Sequence, residues 1–384
     1  MIPYGRQDIS ESDIDAVVDV LRSPFLTQGP VVPKFEASVS SSVGAHFAVS
    51  VNSATSALHI AMLALGVSCG DIVWTSPITF VASSNAALYC GASVDFVDID
   101  RRTGNLCVSA LAHKLEHASL SGQLPKVVVP VHMSGNSCEM ATIKKLSDKF
   151  GFKVLEDASH AIGGQYGGLP VGSCAYSDIA IFSFHPVKII TTGEGGMAVT
   201  NDPELHSKME MLRSHGITRD PKKIIKSDGE WYYEQQMLGF NYRMTDLAAA
   251  LGLSQMTRLP EFINYRNKLA SKYDDFLSEL PLTLPKVEDG TLSSRHLYVI
   301  QLERPEHVNS HATIFSDLRD RGVGVNLHYI PVYRQPYYAS MDCGFASCPQ
   351  AEQYYASAIS IPLYHGMSDQ DQATVVTALA EVLV

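Results

Sequence analysis

An α/β fold is predicted for this chain, with a large N-terminal part built on a mostly parallel central sheet flanked by helices and a smaller C-terminal α+β part. Three observations predict it. Short runs dense in Val and Ile alternate with helical stretches through the first 250 or so residues. Several of those runs are continuously apolar, as strands covered on both faces are. After Thr245 the alternation gives way to a long helical stretch and then to a mixture of short strands and helices. The boundary falls at 250, giving parts of 1–250 and 251–384.

Taken in order, Ser10-Glu11-Ser12-Asp13 is a capping box opening an amphipathic helix through Val17, Val18 and Leu21. Ala48-Val49-Ser50-Val51 reads as a strand that turns through small polar residues into an apolar helix ending near Leu65. Val127 to Val131 and Val154-Leu155 read as buried parallel strands, with a helix from Ala141 to Phe150 between them. Gly163-Gly164 and Gly167-Gly168 mark turns that lack the setting of a dinucleotide fingerprint. Asp178 to Phe184 is rich in β-favouring residues and long enough to cross a sheet. Pro186 then removes an amide donor and holds His185 extended, so Lys188 emerges on a loop. Beyond Thr245 the helical pattern breaks at Pro260 and reaches about Leu280. His296 to Leu302 follows as a strand, Ser310 to Arg321 as a helix, Val323 to His328 as a strand and Asp369 to Val382 as a terminal helix. The aromatic loop Tyr329 to Tyr338 lies among them.

Composition sets the outer limits. The 384 residues are 46% hydrophobic and 18% charged, which suits a globular enzyme and excludes a disordered or fibrous chain. A formal charge of -11 argues against a general nucleic-acid binder, although local cations such as Arg6 or Arg334 suffice for a nucleotide-linked ligand. Seven cysteines without a C-x-x-C pair fit a reducing compartment better than disulfides or structural zinc. Arg6, Asp8, Glu11 and Asp13 stand where a signal peptide would be apolar, and no window approaches a membrane span, so a soluble, cytoplasmic protein is expected.

Chemistry concentrates in three motifs. Lys188 leaves a buried strand and is followed by Gly193-Glu194-Gly195-Gly196, whose glycines permit positive φ and close backbone approach; it is either a candidate Schiff-base amine or a solvated turn lysine. Asp157 ends the apolar run Lys153-Val154-Leu155-Glu156-Asp157, where an unpaired carboxylate calls for a proton, a metal or a positive ring nitrogen; the plainer reading is a helix cap. Asn52-Ser53-Ala54-Thr55-Ser56 presents hydroxyls and free amides at a helix N-terminus, a seat for phosphate or an ordinary cap. Taken jointly they describe an aldehyde held by Lys188, a ring nitrogen held by Asp157 and a phosphate held at Thr55 and Ser56, which is pyridoxal 5′-phosphate.

At these residues the chain resembles the DegT-type sugar aminotransferases, a branch of the fold-type I pyridoxal-phosphate enzymes. The resemblance runs along nearly the whole chain, through Asn52 to Leu58, Thr79-Phe80-Val81-Ala82, Val97-Asp98-Ile99-Asp100, Glu156 to Ala161, Thr192 to Gly196 and Gly239 to Asp246. It implies that Lys188 carries the cofactor and then shuttles a proton, that Asp157 keeps the pyridine nitrogen protonated, and that His160 sits beside the ring hydroxyl. Phe80 is implied on the cofactor face, where its alternative is ordinary core, and Ser183 at the phosphate with Thr55 and Ser56. Asn241 is implied to reach the phosphate from a partner subunit, making the active sites shared within a homodimer.

His185 to Lys188, Trp231 to Glu234 and Tyr329 to Tyr338 narrow the resemblance to members that aminate C4 of a UDP-linked 4-keto-6-deoxy-N-acetylhexosamine, with L-glutamate as the implied donor. His185, His328, Tyr329, Arg334 and Tyr337 are then the implied substrate contacts, the loop tyrosines being equally open to a role as dimer contacts. Ile189 departs from the polar residue or proline usual after the lysine. Other keto sugars linked to dTDP or GDP, or a 4-keto-arabinose nucleotide, would use the same site residues. A sugar dehydratase of this lineage would carry histidine at Lys188, and a non-catalytic regulatory protein would not need Lys188, Asp157 and His160 together. His113-Lys114-Leu115-Glu116-His117 matches a zinc-protease pattern, but five-residue patterns occur by chance, this one needs a third ligand in the right place, and the segment reads as a solvated helix, so no metal is expected.

Overall fold

The computed structural model describes residues 1–226, 228–303, 311–341 and 344–383. Its main sheet is seven-stranded. Five strands, β1 (Phe47–Val51), β2 (Ile72–Thr75), β3 (Ser93–Phe96), β4 (Val127–Val129) and β5 (Lys153–Asp157), are joined by Ile179–Ser183 and Gly196–Thr200. Across the sheet the order runs β1, Gly196–Thr200, Ile179–Ser183, β5, β4, β2, β3. Gly196–Thr200 is antiparallel to both of its neighbours and every other pairing is parallel. Both faces are covered, so Ile179–Ser183 and Gly196–Thr200 are buried along their whole length.

The helices that matter for the cleft are α1 (Glu11–Arg22), α2 (Val31–Val43), α3 (Ala54–Ala64) and α4 (Ala82–Tyr89). Helix α3 is apolar nearly all round because it is wedged between the sheet and α4, and Ser56 through Met62 are buried. Ser53 starts it by accepting the amide of Ser56 at 3.1 Å. The capping box of α1 forms, Ser10 and Asp13 each accepting the other's amide. Its buried side is not the Val17, Val18, Leu21 stripe, however: Val20 and the carboxylate of Asp13 face inward, and Leu21 is exposed. Asp13 takes hydrogen bonds from Ser254 (2.6 Å) and Gln255 (2.7 Å) and pairs with Arg258 at 2.9 Å. A polar lock, rather than an apolar face alone, docks this helix; without Arg258 the buried carboxylate would lose its cation and rest on the Ser10, Ser254 and Gln255 donors.

The second sheet orders Leu282–Thr283, Tyr298–Leu302 and Ala358–Ile361, all antiparallel. Between the two sheets runs the helix Leu259–Phe276. Leu259, Phe262 and Ile263 pack into the core beneath the main sheet, while Leu269, Ala270 and Tyr273 pack with the second. The break anticipated at Pro260 is there, since Asp246–Met256 ends just before this helix begins.

Two strand expectations change. Val323 to His328 is not a strand; it makes only isolated bridges, Val323 with Ile2 and Asn326 with Ser360. The N-terminal segment competes for that edge, the amide of Gly324 donating to Ile2 O at 2.7 Å. The strand expected from His296 begins instead at Tyr298, because Arg295 takes φ +51° and the amide of His296 turns to Ser134 O at 2.9 Å. The helix expected from Ser310 runs His311–Asp320, and Ser310 itself lies outside the described residues. The terminal helix spans Asp369–Leu383. Among the described residues no helix is long and apolar enough to cross a membrane.

Candidate active site

A cleft of about 750 Å³ opens where β5 and Ile179–Ser183 end and α3 and α4 begin. This is where open α/β sheets place ligands, because strand ends and helix N-termini leave backbone and side chains free together. Thr55, Ser56, Phe80, Asp157, His160, Ser183, His185, Lys188, His328 and Tyr329 all line it.

Lys188 sits on a loop closed at its base. The amide of Phe184 donates to Gly195 O (2.9 Å), that of Thr192 to Phe184 O (3.0 Å) and that of Lys188 to His185 O (2.9 Å). The side chain is partly covered and opens on the cleft. Loss of hydration brings its ammonium down to about 8, with the charge of Asp157 opposing that shift. Near neutral pH a usable fraction of the amine is therefore unprotonated.

Glu156 and Asp157 are consecutive on β5 and so face opposite sides of the sheet. Glu156 is fully occupied, bonded to His132 Nε2 at 2.9 Å and to the hydroxyl of Ser177. Asp157 faces the cleft, where Oδ1 accepts the Ser159 amide at 3.2 Å and Oδ2 accepts the Ser83 hydroxyl at 2.6 Å. The helix-cap reading of Asp157 thus captures one oxygen only. The buried face of the strand closes on itself, and the other keeps a carboxylate open for a cation.

At the α3 end, Ser56 Oγ rests on Asn52 Oδ1 (2.7 Å) and beside Ser53 Oγ (3.0 Å). The amides of the first turn have no carbonyl within the helix, and Asn52 through Ser56 line the cleft. Gly196 makes this approach possible: a Cβ there would lie 2.5 Å from the amide nitrogen of Ala54. The close contact that this glycine serves is with the helix terminus.

Three imidazoles surround the amine. His160, His296 and His328 are buried and all held below the usual histidine range, by desolvation first and then by neighbouring charge, including that of Lys188. His328 falls to about 3, and its Nδ1 is 2.8 Å from Ser360 Oγ. His160 Nε2 is 3.3 Å from Tyr329 OH while its Nδ1 has no partner, and its ring lies 4.4 Å from that of His296. Neutral imidazoles can exchange hydrogen bonds with a ligand without adding charge to the site.

Other wall residues were not anticipated: His296, Tyr4, Asn326, Glu194, Thr79 and Ser83 also line the cleft. Glu194 lay within a motif already singled out, and Thr79 beside Phe80. Tyr4, His296 and Asn326 carried no local signal, since only the crossing of the N-terminal segment and the second sheet brings them in.

Phe80 is 60% exposed, its ring 6.4 Å from Tyr329, so it forms wall and not core. Arg334 and Tyr337 are not brought into the cleft. Arg334 pairs with Glu352 and lies over Tyr355, and Tyr337 is exposed on a separate groove with Tyr89 and Val81. Asn241 is likewise exposed and outside the cleft, its backbone bridged to Ser214. Arg6 is exposed and also absent from the lining. His113 and His117 are exposed on the helix Val108–Ser121.

The donor set fits pyridoxal phosphate: an amine of lowered pKa, a strand-end carboxylate with room for a cation, a hydroxyl and amide cradle at a helix terminus, and a buried imidazole nitrogen lacking a partner. The description of the DegT/DnrJ/EryC1/StrS aminotransferase family matches residues 7–380. A UDP-4-amino-4,6-dideoxy-N-acetyl-beta-L-altrosamine transaminase from Campylobacter jejuni is 40% identical over 384 residues, covering 100% of this chain and 98% of its own. Among solved structures, Helicobacter pylori PseC, an aminotransferase involved in the biosynthesis of pseudoaminic acid, superposes with a TM-score of 0.90 at 31% identity, over 100% of this chain and 99% of that one. The PLP-form of a putative sugar aminotransferase, Spr1654 from Streptococcus pneumoniae, superposes with a TM-score of 0.87 at 27% identity over the full length of both.

Proposed function

The chain belongs to the DegT/DnrJ/EryC1/StrS aminotransferase family and is a pyridoxal-phosphate-dependent sugar aminotransferase; from that premise we propose that it aminates C4 of a UDP-linked 4-keto-6-deoxy-N-acetylhexosamine, with L-glutamate as donor. The product would be the 4-amino sugar of the altrosamine series, on the route to pseudaminic acid. The single observation that carries the reading is the convergence of Lys188, Asp157 and the α3 terminus on one cleft.

When bound, the cofactor supplies the carbonyl and the electron sink that an amino-group transfer requires. The remaining roles belong to this chain. Lys188 would hold the aldehyde end and, once displaced by the donor, carry a proton on Nζ between the reacting carbons, a task suited to an amine titrating near 8. Asp157 would keep the ring nitrogen protonated by offering a fixed negative charge. Thr55, Ser56, Ser183 and the first-turn amides of α3 would seat the phosphate, Ser56 turning its hydroxyl away from Asn52 to do so. Phe80 and Tyr329 would shield the cofactor from water, and His160 would receive the ring hydroxyl.

His185 and His328 stand where a sugar would meet the wall. Among the described lining residues Lys188 is the sole Lys or Arg, so a nucleoside diphosphate has no guanidinium waiting for it in one chain. This supports a homodimer in which the partner completes the rim, with Asn241 and its neighbours as the contribution. Arg334 and Tyr337 would then act at that outer edge. Within the same reading the cofactor belongs to the N-terminal part, whose core runs past the expected boundary at 250 as far as Ile263, and the protein works in the cytoplasm.

The test is a panel of UDP-, dTDP- and GDP-linked 4-keto sugars incubated with the cofactor-loaded protein and glutamate, the amino sugar being detected by mass. Transfer to the UDP-linked 6-deoxy N-acetyl sugar at the highest kcat/KM is expected. Transfer to the other sugars and none to that one would eliminate the altrosamine assignment while leaving the aminotransferase intact.

A further inference from the structure

Asp157 does not stand alone at the end of β5. Its Oδ2 accepts the hydroxyl of Ser83 at 2.6 Å, a separation in the short, charge-assisted class. Ser83 Oγ lies 2.8 Å from Thr79 Oγ1, and its other acceptor, Phe80 O, is more distant at 3.4 Å. Thr79, Ser83 and Asp157 are all buried, with exposures of 3%, 1% and 5%.

The proton directions in this chain are fixed by chemistry. An ionised carboxylate only accepts, so Ser83 spends its one proton on Asp157. The oxygen of Ser83 is then an acceptor, and Thr79 supplies the proton it takes. Both hydroxyls therefore point toward the carboxylate, in the order Thr79, Ser83, Asp157.

With the Ser159 amide on Oδ1, each carboxylate oxygen has its own donor, and two fixed donors limit rotation of the carboxylate. Thr79 and Ser83 flank Phe80 on the turn that opens α4, so one short segment sets both the aromatic wall and the acid at the cleft floor.

We propose that Ser83 is a positioning residue for the aminotransferase reaction: with Thr79 behind it, it fixes the orientation in which Asp157 meets the ring nitrogen of the cofactor. This rests on the reading of Asp157 given above. Neither hydroxyl touches the reacting carbons; both act through the carboxylate. A Ser83→Ala protein keeps the volume of the site and lets Asp157 swing.

The experiment compares wild type with Ser83→Ala, Ser83→Thr, Thr79→Val and Asp157→Asn. Cofactor affinity of each apoprotein is measured by titration with pyridoxal phosphate, the circular dichroism of the bound cofactor in the visible range is recorded, and the half-reaction with glutamate gives a rate and a half-saturating concentration. Ser83→Ala is expected to bind the cofactor about 10-fold more weakly, as loss of one hydrogen bond to a charged group implies. Its dichroic band should weaken, and its rate should fall about 10-fold at an unchanged half-saturating glutamate concentration. Ser83→Thr, which keeps the hydroxyl, should recover all three, and Thr79→Val should move them the same way by less. Wild-type behaviour of Ser83→Ala beside an impaired Asp157→Asn would overturn this inference and leave the role of Asp157 standing. Wild-type behaviour of Asp157→Asn would overturn that role and this inference with it. Should Ser83→Ala fail to fold, Thr79→Val carries the test, and an unaltered dichroic band there defeats the relay.

Discussion

At the floor of the cleft, Asp157 and the α3 terminus stand at the ends of fixed elements and Lys188 on a loop closed by backbone hydrogen bonds, whereas Phe80 and His185 at the rim, and Arg334 and Tyr337 outside the cleft, are exposed. Backbone hydrogen bonds close the base of the Lys188 loop, Ser83 and Ser159 hold Asp157, and Ser53 caps α3. The rim residues are exposed, and the one strong partner there, Glu352 for Arg334, turns the guanidinium away from the cleft. A cofactor common to many reactions wants rigid anchors, and strand ends provide them. In the proposed function, discrimination among sugars would fall to the looser edge, where substitutions cost little stability.

The sharpest way to break this contrast is at Lys188. Lys188→Ala should lower the rate of the glutamate half-reaction by at least about 10⁴-fold, measured by single-turnover absorbance. Wild-type reactivity in that variant would remove the floor as the chemical centre. Asp157→Ala should follow, with a rate about 10²- to 10³-fold lower and a smaller loss of cofactor affinity, because a fixed charge aimed at the ring acts on the chemical step more than on binding.

The floor should also show its cost in stability. Burial depresses Lys188 from 10.5 to about 8. Below about pH 8 folded and unfolded chains both hold the proton, and the desolvation penalty is felt in full. Between 8 and 10.5 the unfolded chain binds one proton more, so stability rises with pH until the penalty is gone. Lys188→Met apoprotein should therefore be more stable than wild type at pH 7 by about 1–3 kcal/mol in urea unfolding, the upper figure being reduced by the partial exposure of the side chain. The gap should close above pH 10.5. A constant gap across that range would mean that the amine is not desolvated.

Between floor and rim stands Tyr329, whose hydroxyl is 3.3 Å from His160 Nε2. Tyr329→Phe should cost about 3- to 10-fold in rate, in line with one neutral hydrogen bond, with the ring's closing role retained. At the rim itself Arg334→Ala should leave the half-reaction with glutamate within about twofold and lower stability by no more than about 1 kcal/mol, as an exposed ion pair warrants. A raised KM for the nucleotide sugar in that variant would place Arg334 at the outer edge of the site. A collapse of the glutamate reaction would instead tie the rim to the floor.

The same contrast explains what could be read from the amino acids in advance. Lys188, Asp157 and the Ser53 cap are announced by neighbours a few residues away: a proline after a strand, adjacent carboxylates at a strand end, small polar residues before an apolar helix. Taken jointly they describe one cofactor, and the resemblance to the aminotransferase family agrees with it. Arg334 and Tyr337 are drawn toward the substrate by the resemblance and by the aromatic character of their loop, and nothing local reveals that Glu352 claims the guanidinium. The stripe assigned to α1 failed for a related reason, since a helix pattern cannot show that Ser254, Gln255 and Arg258 await a carboxylate at Asp13.

The amino-acid order by itself therefore determined the alternation of strands and helices, the strand and helix ends that meet in the cleft, and the amine and acid proposed to carry the chemistry, because each is encoded by interactions within a few residues. Only the folded chain decided that Tyr4, Asn326 and His296 would meet Lys188 in one cleft, and that Ser83 would grip Asp157 across 74 positions. Those contacts depend on how the sheet is ordered and where the second sheet docks, and sequence distance carries no record of either.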